Sequence, residues 1–244
     1  MEPKQIVYDF LANRMEYREF KKYCQYHPEV LDWVQSVVPD DFKGNKLVEN
    51  IEVRKKLQEK LQEMKNGVRG DPAELMTLFK RRYDVVEIPY SIIEIFDRET
   101  NRHGDEIGQW LNIHSELANI IKRAFPDENI EISDYAHNLF DFVIDTCPEY
   151  IGGPEVDASN ILLDIYNRLP PGTETARKKE FKSQIKALFR CKGAKRPRWI
   201  QEAEWPMGKN SPMVFVSQSH SADVYSYVFE DADTGEKRTI TQLA

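Results

Sequence analysis

Cysteine is scarce in this chain and unpatterned. Cys24, Cys147 and Cys191 are an odd number, far apart, with no Cys-x-x-Cys spacing. That excludes a disulfide framework and a cysteine-based zinc site. Long apolar runs are missing as well: no stretch reaches the roughly eighteen residues that a membrane-spanning helix needs, so no membrane span is expected. The opening Met1-Glu2-Pro3-Lys4-Gln5-Ile6 has neither a basic leader nor an apolar core. No secretory signal is expected from it, and with three thiols the natural compartment is a reducing cytoplasm. None of the 11 glycines falls in Gly-x-Gly-x-x-Gly or Gly-Lys-Ser/Thr. Gly152-Gly153-Pro154 therefore reads as a loop and not as a phosphate cradle.

Charge and aromatics are present in quantity. Charged residues make up 31% of the 244, hydrophobic ones 41% and aromatics 11%, the profile of a folded protein with a heavily charged surface. The net charge of -7 is unevenly spread. Between Arg177 and Arg198 there are ten basic residues and one acid, Glu180, so this stretch carries +9 and the rest of the chain -16.

Helical periodicity runs through most of the chain. Ile6, Val7, Phe10 and Leu11 form one apolar stripe, and Tyr17, Phe20, Tyr23 and Cys24 another. A helix from Pro28 stops at Pro39-Asp40-Asp41. The spacing of Val48, Ile51, Leu57, Leu61 and Met64 predicts a long helix over Lys46 to Lys65. Asp71-Pro72-Ala73-Glu74 is a strong helix start. Val85 to Phe96 fits strand or helix, and Ile88, Ile92, Ile93 and Phe96 favour helix. Further helices are expected over Asp105 to Arg123, after Ser133, after Asp157 or Ser159, and from about Thr173 to Arg190. After Pro206 the period changes to two, and a three-stranded antiparallel meander is predicted: Pro212 to Gln218, Val224 to Glu230, and Lys237 to Gln242, with Asp231 to Gly235 as a turn. The expected architecture is mainly α, an irregular bundle of about eight helices over residues 1–194. A small β module over 195–244 packs on it.

Several constellations can be weighed for chemistry. The basic helix, with Lys182 and Lys186 among its exposed cations and Arg198 beyond it, could neutralise nucleic-acid phosphates or meet an acidic protein; it could equally be a solvated face. Trp199 and Trp205 with Gln201, Glu202 and Glu204 are the residue types of an interface anchor, or the pins that hold a β appendage to its domain. His137, Asp141 and Asp145, with Asp134 one turn earlier, would suit a divalent metal only weakly, since one histidine contributes. His114 sits at a core position and His103 before a helix start. Cys24 and His27 are close enough for a thiolate pair, although Tyr23 and Tyr26 suggest packing. No catalytic residue, cofactor or metal ligand set is assigned.

The tail adds a resemblance. Arg196-Pro197-Arg198-Trp199-Ile200-Gln201, Glu204-Trp205-Pro206 and Pro212-Met213-Val214-Phe215-Val216-Ser217-Gln218 resemble the C-terminal segment of uncharacterised bacterial cytoplasmic proteins. Several families of that kind are grouped with the immunity proteins of polymorphic toxin systems. It covers residues 196–244 and extends to Phe10–Val38 as a short helical opening. The resemblance implies a non-catalytic, stoichiometric binder of a cognate toxin. A nucleic-acid-associated protein using residues 177–198 is the alternative.

Overall fold

The computed structural model describes residues 2–102, 106–153, 159–193 and 195–244. In chain order the helices and strands are α1 (Pro3–Leu11), α2 (Tyr17–Tyr26), α3 (Glu29–Val37), β1 (Lys43–Glu49), α4 (Ile51–Lys65), α5 (Pro72–Lys80) and β2 (Tyr83–Pro89). Then follow α6 (Ile92–Thr100), α7 (Glu106–Ala124), α8 (Tyr135–Thr146), α9 (Ser159–Asn167), α10 (Glu174–Leu188), β3 (Val214–Ser221), β4 (Val224–Glu230) and β5 (Lys237–Leu243). The class is the expected one, mainly helical with a small C-terminal antiparallel sheet in the order β3-β4-β5. A second sheet, β1-β2, was not expected. His103, Asp105 and Asp157, named above as flank or cap positions, lie outside the described residues.

Contacts divide the chain into two units, and not at residue 195: one holds Met1–Val37 with Ile92–Ala244, the other Val38–Ser91. The tail sheet therefore belongs to the same unit as the helices that open the chain.

In the first unit the apolar stripes do what their spacing dictates. Pro3 starts α1, whose Ile6, Val7, Phe10 and Leu11 are all buried. Phe10 stacks on Phe20 of α2 with ring centroids 4.0 Å apart. The central rod is α7, buried along Ile107, Trp110, Ile113, Leu117, Ile120 and Ile121. Its one buried histidine, His114, hydrogen-bonds through Nε2 to the Leu11 carbonyl at 3.0 Å, so it is a satisfied core residue. Burial lowers its pKa, against the pull of that carbonyl. Glu99 of α6 is also buried, and burial alone would raise its pKa. The bonds from Asn112, Arg98 and Arg102, at 3.0 to 3.2 Å, outweigh this and hold the carboxyl below its ordinary value.

The tail sheet is stitched to the end of α10. The Phe215 N–H donates to the Arg190 carbonyl at 2.9 Å, and the Lys192 N–H to the Phe215 carbonyl at 2.7 Å. Phe215, Tyr227 and Phe229 form the buried side of the meander, where Phe229 meets Trp205 edge-on at 5.2 Å. Asp231 fixes the last turn by accepting the N–H groups of Asp233 and Lys209, both at 2.8 Å; those bonds lower its pKa, and Gly235 supplies the left-handed residue at φ 74°.

The second unit corrects two expectations. The helix expected from Lys46 begins only at Ile51, because Lys43–Glu49 pairs antiparallel with Tyr83–Pro89, with Leu47 opposite Val85. Asn50 marks the break: its side chain caps α4 by accepting the Val53 N–H at 3.1 Å. The stretch Val85 to Phe96 is neither one helix nor one strand. Strand ends at Pro89 and helix starts at Ile92. The residue before a proline is biased to extended backbone, so Pro89 closes a strand here instead of opening a helix. As expected, Asp71 caps α5 through the Ala73 N–H at 2.9 Å.

Candidate interaction surfaces

Three surfaces emerge, one on each unit's most unusual segment and one along α10. The first is the strap of residues 196–206 that precedes the tail sheet. Gln242, 1% exposed, holds it: Gln242 Oε1 accepts the N–H groups of Ile200 and Gln201 at 3.2 Å each, and its Nε2 donates to the Glu202 carbonyl at 2.7 Å and to Glu204 Oε1 at 3.0 Å. Arg198 N donates to Gln218 Oε1, and its carbonyl accepts from the Tyr227 hydroxyl, both at 2.8 Å. Gln201 Nε2 reaches the Leu243 carbonyl at 2.8 Å.

The two tryptophans point inward. Trp205 is 3% exposed, donates Nε1–H to the Met213 carbonyl at 2.8 Å, and packs on Phe189 and Phe229. It is a core residue, so it offers a partner nothing to touch, and its placement among the candidate partner-binding residues is corrected. Trp199 is half-buried, bonded through Nε1 to the Tyr150 carbonyl at 2.9 Å and packed on Tyr227 and Phe229. Both pin the module to its domain. A pocket of about 380 Å³ opens beside the strap between Tyr150, Trp199, Arg198, Gln201 and Glu149. The side chains of Arg198, Gln201, Glu202 and Glu204 stay exposed.

The second surface is the outer face of α10. Thr173 caps the helix by accepting the Ala176 N–H at 3.3 Å, while Phe181 and Ile185 turn inward. This leaves Thr175, Lys178, Lys179, Lys182, Ser183 and Lys186 around a groove of about 540 Å³. Lys178 is neutralised by Glu174 at 2.7 Å and Asp145 at 3.3 Å. Arg177 is also spent, lying 4.8 Å above the Tyr166 ring. Lys179, Lys182 and Lys186 have no acidic partner among the described residues.

The third surface, which the sequence reading missed, is the unit over 38–91. Of the 16 large hydrophobic side chains exposed among the described residues, 11 lie here, whereas Leu57 is its one buried hydrophobic residue. Leu47, Ile51, Val85, Met76 and Phe79 are each more than half exposed.

The catalytic and metal candidates fare differently. Cys24 is buried, and burial pushes its thiol up to about 12, which keeps it protonated at neutral pH. His27 is turned to Glu29 at 3.0 Å and stacks on Tyr23. His137, Asp141, Asp145 and Asp134 are exposed, and among the described residues no group of three or more His, Cys, Asp or Glu is arranged to hold a metal ion. No described helix is long and apolar enough to cross a membrane.

No family model, curated protein or solved structure matches the chain. The immunity-type expectation rests on the residues of the tail alone.

Proposed function

We propose that the protein is a non-catalytic cytoplasmic binder of another protein, in the manner of a bacterial immunity inhibitor, and that residues 38–91 meet the partner. The observation that carries this is the exposed apolar surface of that unit, with 11 large hydrophobic side chains open and one buried. Many large apolar side chains left exposed in so short a segment cost free energy unless something covers them, and partner contact is the usual cover. Methionine, phenylalanine and tyrosine, represented here by Met64, Met76, Phe79 and Tyr83, are the types enriched at the centres of interfaces. The net charge of -7 adds long-range steering towards a basic partner such as a secreted nuclease, raising the encounter rate more than the final affinity.

The test is affinity capture from the lysate of the organism carrying the gene, after nuclease treatment and in moderate salt, with the wild type beside M76E/F79E. Both positions are exposed on α5, so the pair is expected to fold normally. One stoichiometric protein held by the wild type and lost by the double variant supports the reading. Equal retention by both, or no retained protein, overturns it. A gene lying directly downstream of a large modular toxin gene is the expected neighbourhood.

A further inference from the structure

The outer face of α10 belongs to the other unit and has a different chemistry. Lys179, Lys182 and Lys186 share one side of the helix, three and four residues apart, which spaces them by about 4.5 and 6 Å along its axis. The hydroxyls of Thr175 and Ser183 lie in the same groove. In a chain with 41 acidic residues against 34 basic ones, many cations are ion-paired, Lys4, Arg14, Arg18, Lys60, Arg98 and Lys178 among them. These three lysines are left unneutralised in a row.

What surrounds them selects the ligand class. No large apolar or aromatic side chain lines the groove, so the anchor that concentrates binding energy in a protein interface is missing. Trp199 and Trp205, the aromatics that could have stacked on unpaired bases, are engaged with Tyr150 and Met213 inside the fold. Lysines and hydroxyls alone suit phosphate oxygens, which position a protein on a nucleic acid without reading its bases. Phe181 and Ile185 of α10 are fully buried, Leu188 is half-buried, and none of the three lines the groove, so this face offers no large apolar side chain to insert into a lipid bilayer.

We infer that Lys179, Lys182 and Lys186, with Thr175 and Ser183, form a sequence-independent binding site for the phosphate backbone of duplex nucleic acid. Three neutralised phosphates correspond to a slope of log K against log salt of about -2.7 for a B-form duplex. Affinity should therefore fall about 40-fold between about 50 and 200 mM salt.

The experiment is fluorescence anisotropy of a labelled DNA duplex of arbitrary sequence with the purified full-length chain, titrated at both salt concentrations. Three chains are compared: wild type, K182Q/K186Q, and K55Q/K56Q, the last altering two exposed lysines of α4, an element of the other unit. The wild type is expected to show the 40-fold salt effect. K182Q/K186Q should keep one lysine of the row, reducing the salt effect to about 3-fold. K55Q/K56Q should match the wild type. Circular dichroism and thermal melting confirm that each chain is folded, and K182R/K186R is expected to restore binding. The inference is overturned if the wild type does not bind at low salt, if K182Q/K186Q keeps the full salt slope, if K55Q/K56Q loses as much as K182Q/K186Q, or if a polyglutamate competitor displaces the duplex at equal charge concentration. This outcome is independent of the capture experiment, which reads the 38–91 unit after nuclease treatment.

Discussion

His114 and Glu99 give the stability of this fold two separate acid limits. Folded His114 binds its proton below the ordinary value of 6.5, because burial disfavours the imidazolium. Below pH 6.5 the unfolded chain takes up a proton that the folded chain resists. Stability therefore falls as pH drops through 6.5 and keeps falling until the folded value is passed. Glu99 acts lower: its folded pKa is depressed from 4.5, so its contribution is present above that pH and is lost on acidification below it. Thermal melts from pH 8 to 3 should show both stages. H114Q, whose amide can still donate to the Leu11 carbonyl, is expected to remove the first and leave the second. Gln242 makes a different residue-scale point. Q242L strands the N–H groups of Ile200 and Gln201 and the Glu202 carbonyl, and a loss of about 2–3 kcal/mol in chemical denaturation is expected. Nothing in the period-two pattern of β5 marked Gln242 as the clasp of the strap. A polar residue at the end of a strand normally faces water.

At the scale of elements, legibility followed how local the cause was. The helices α1, α2, α7 and α10 were readable because their stripes, caps and prolines lie within a few residues of each other, and so was the tail meander with its Asp231–Gly235 turn. The sheet of β1 and β2 was not. Val48 and Ile51 are three residues apart and continue the helical spacing of α4 backwards, while the partner strand that overrides it lies more than thirty residues on. Asn50 was the available signal, a capping type placed before Ile51. N50A is expected to cost about 1 kcal/mol of local stability. Amide exchange should report it as faster exchange at the first turn of α4, with α7 unchanged. The orientation of Trp199 and Trp205 was likewise hidden, since it depends on Tyr150 and Met213 and on the face the sheet presents.

For the molecule as a whole, the two units differ in how much holds them. The unit over 38–91 buries one hydrophobic side chain and rests on two strands and the packing of α4 on α5, and two strands alone are marginal in water. Limited trypsin digestion is expected to cut first among its exposed cations, such as Lys55, Lys56, Arg69 and Arg81, before any site in α7 or α10. First cuts in α7 would reverse that ranking, and slowed cleavage of 38–91 in the presence of a captured partner would join it to the proposed function. The way the chain enters and leaves this segment carries a further consequence. Gln35, near the end of α3, accepts the Ile92 N–H at the start of α6 at 3.0 Å, so the two flanks are tied together inside the first unit. Such a joint behaves as a socket. A segment of different length and sequence can be exchanged between those flanks without redrawing the helices around it, which is the kind of site where insertions are tolerated.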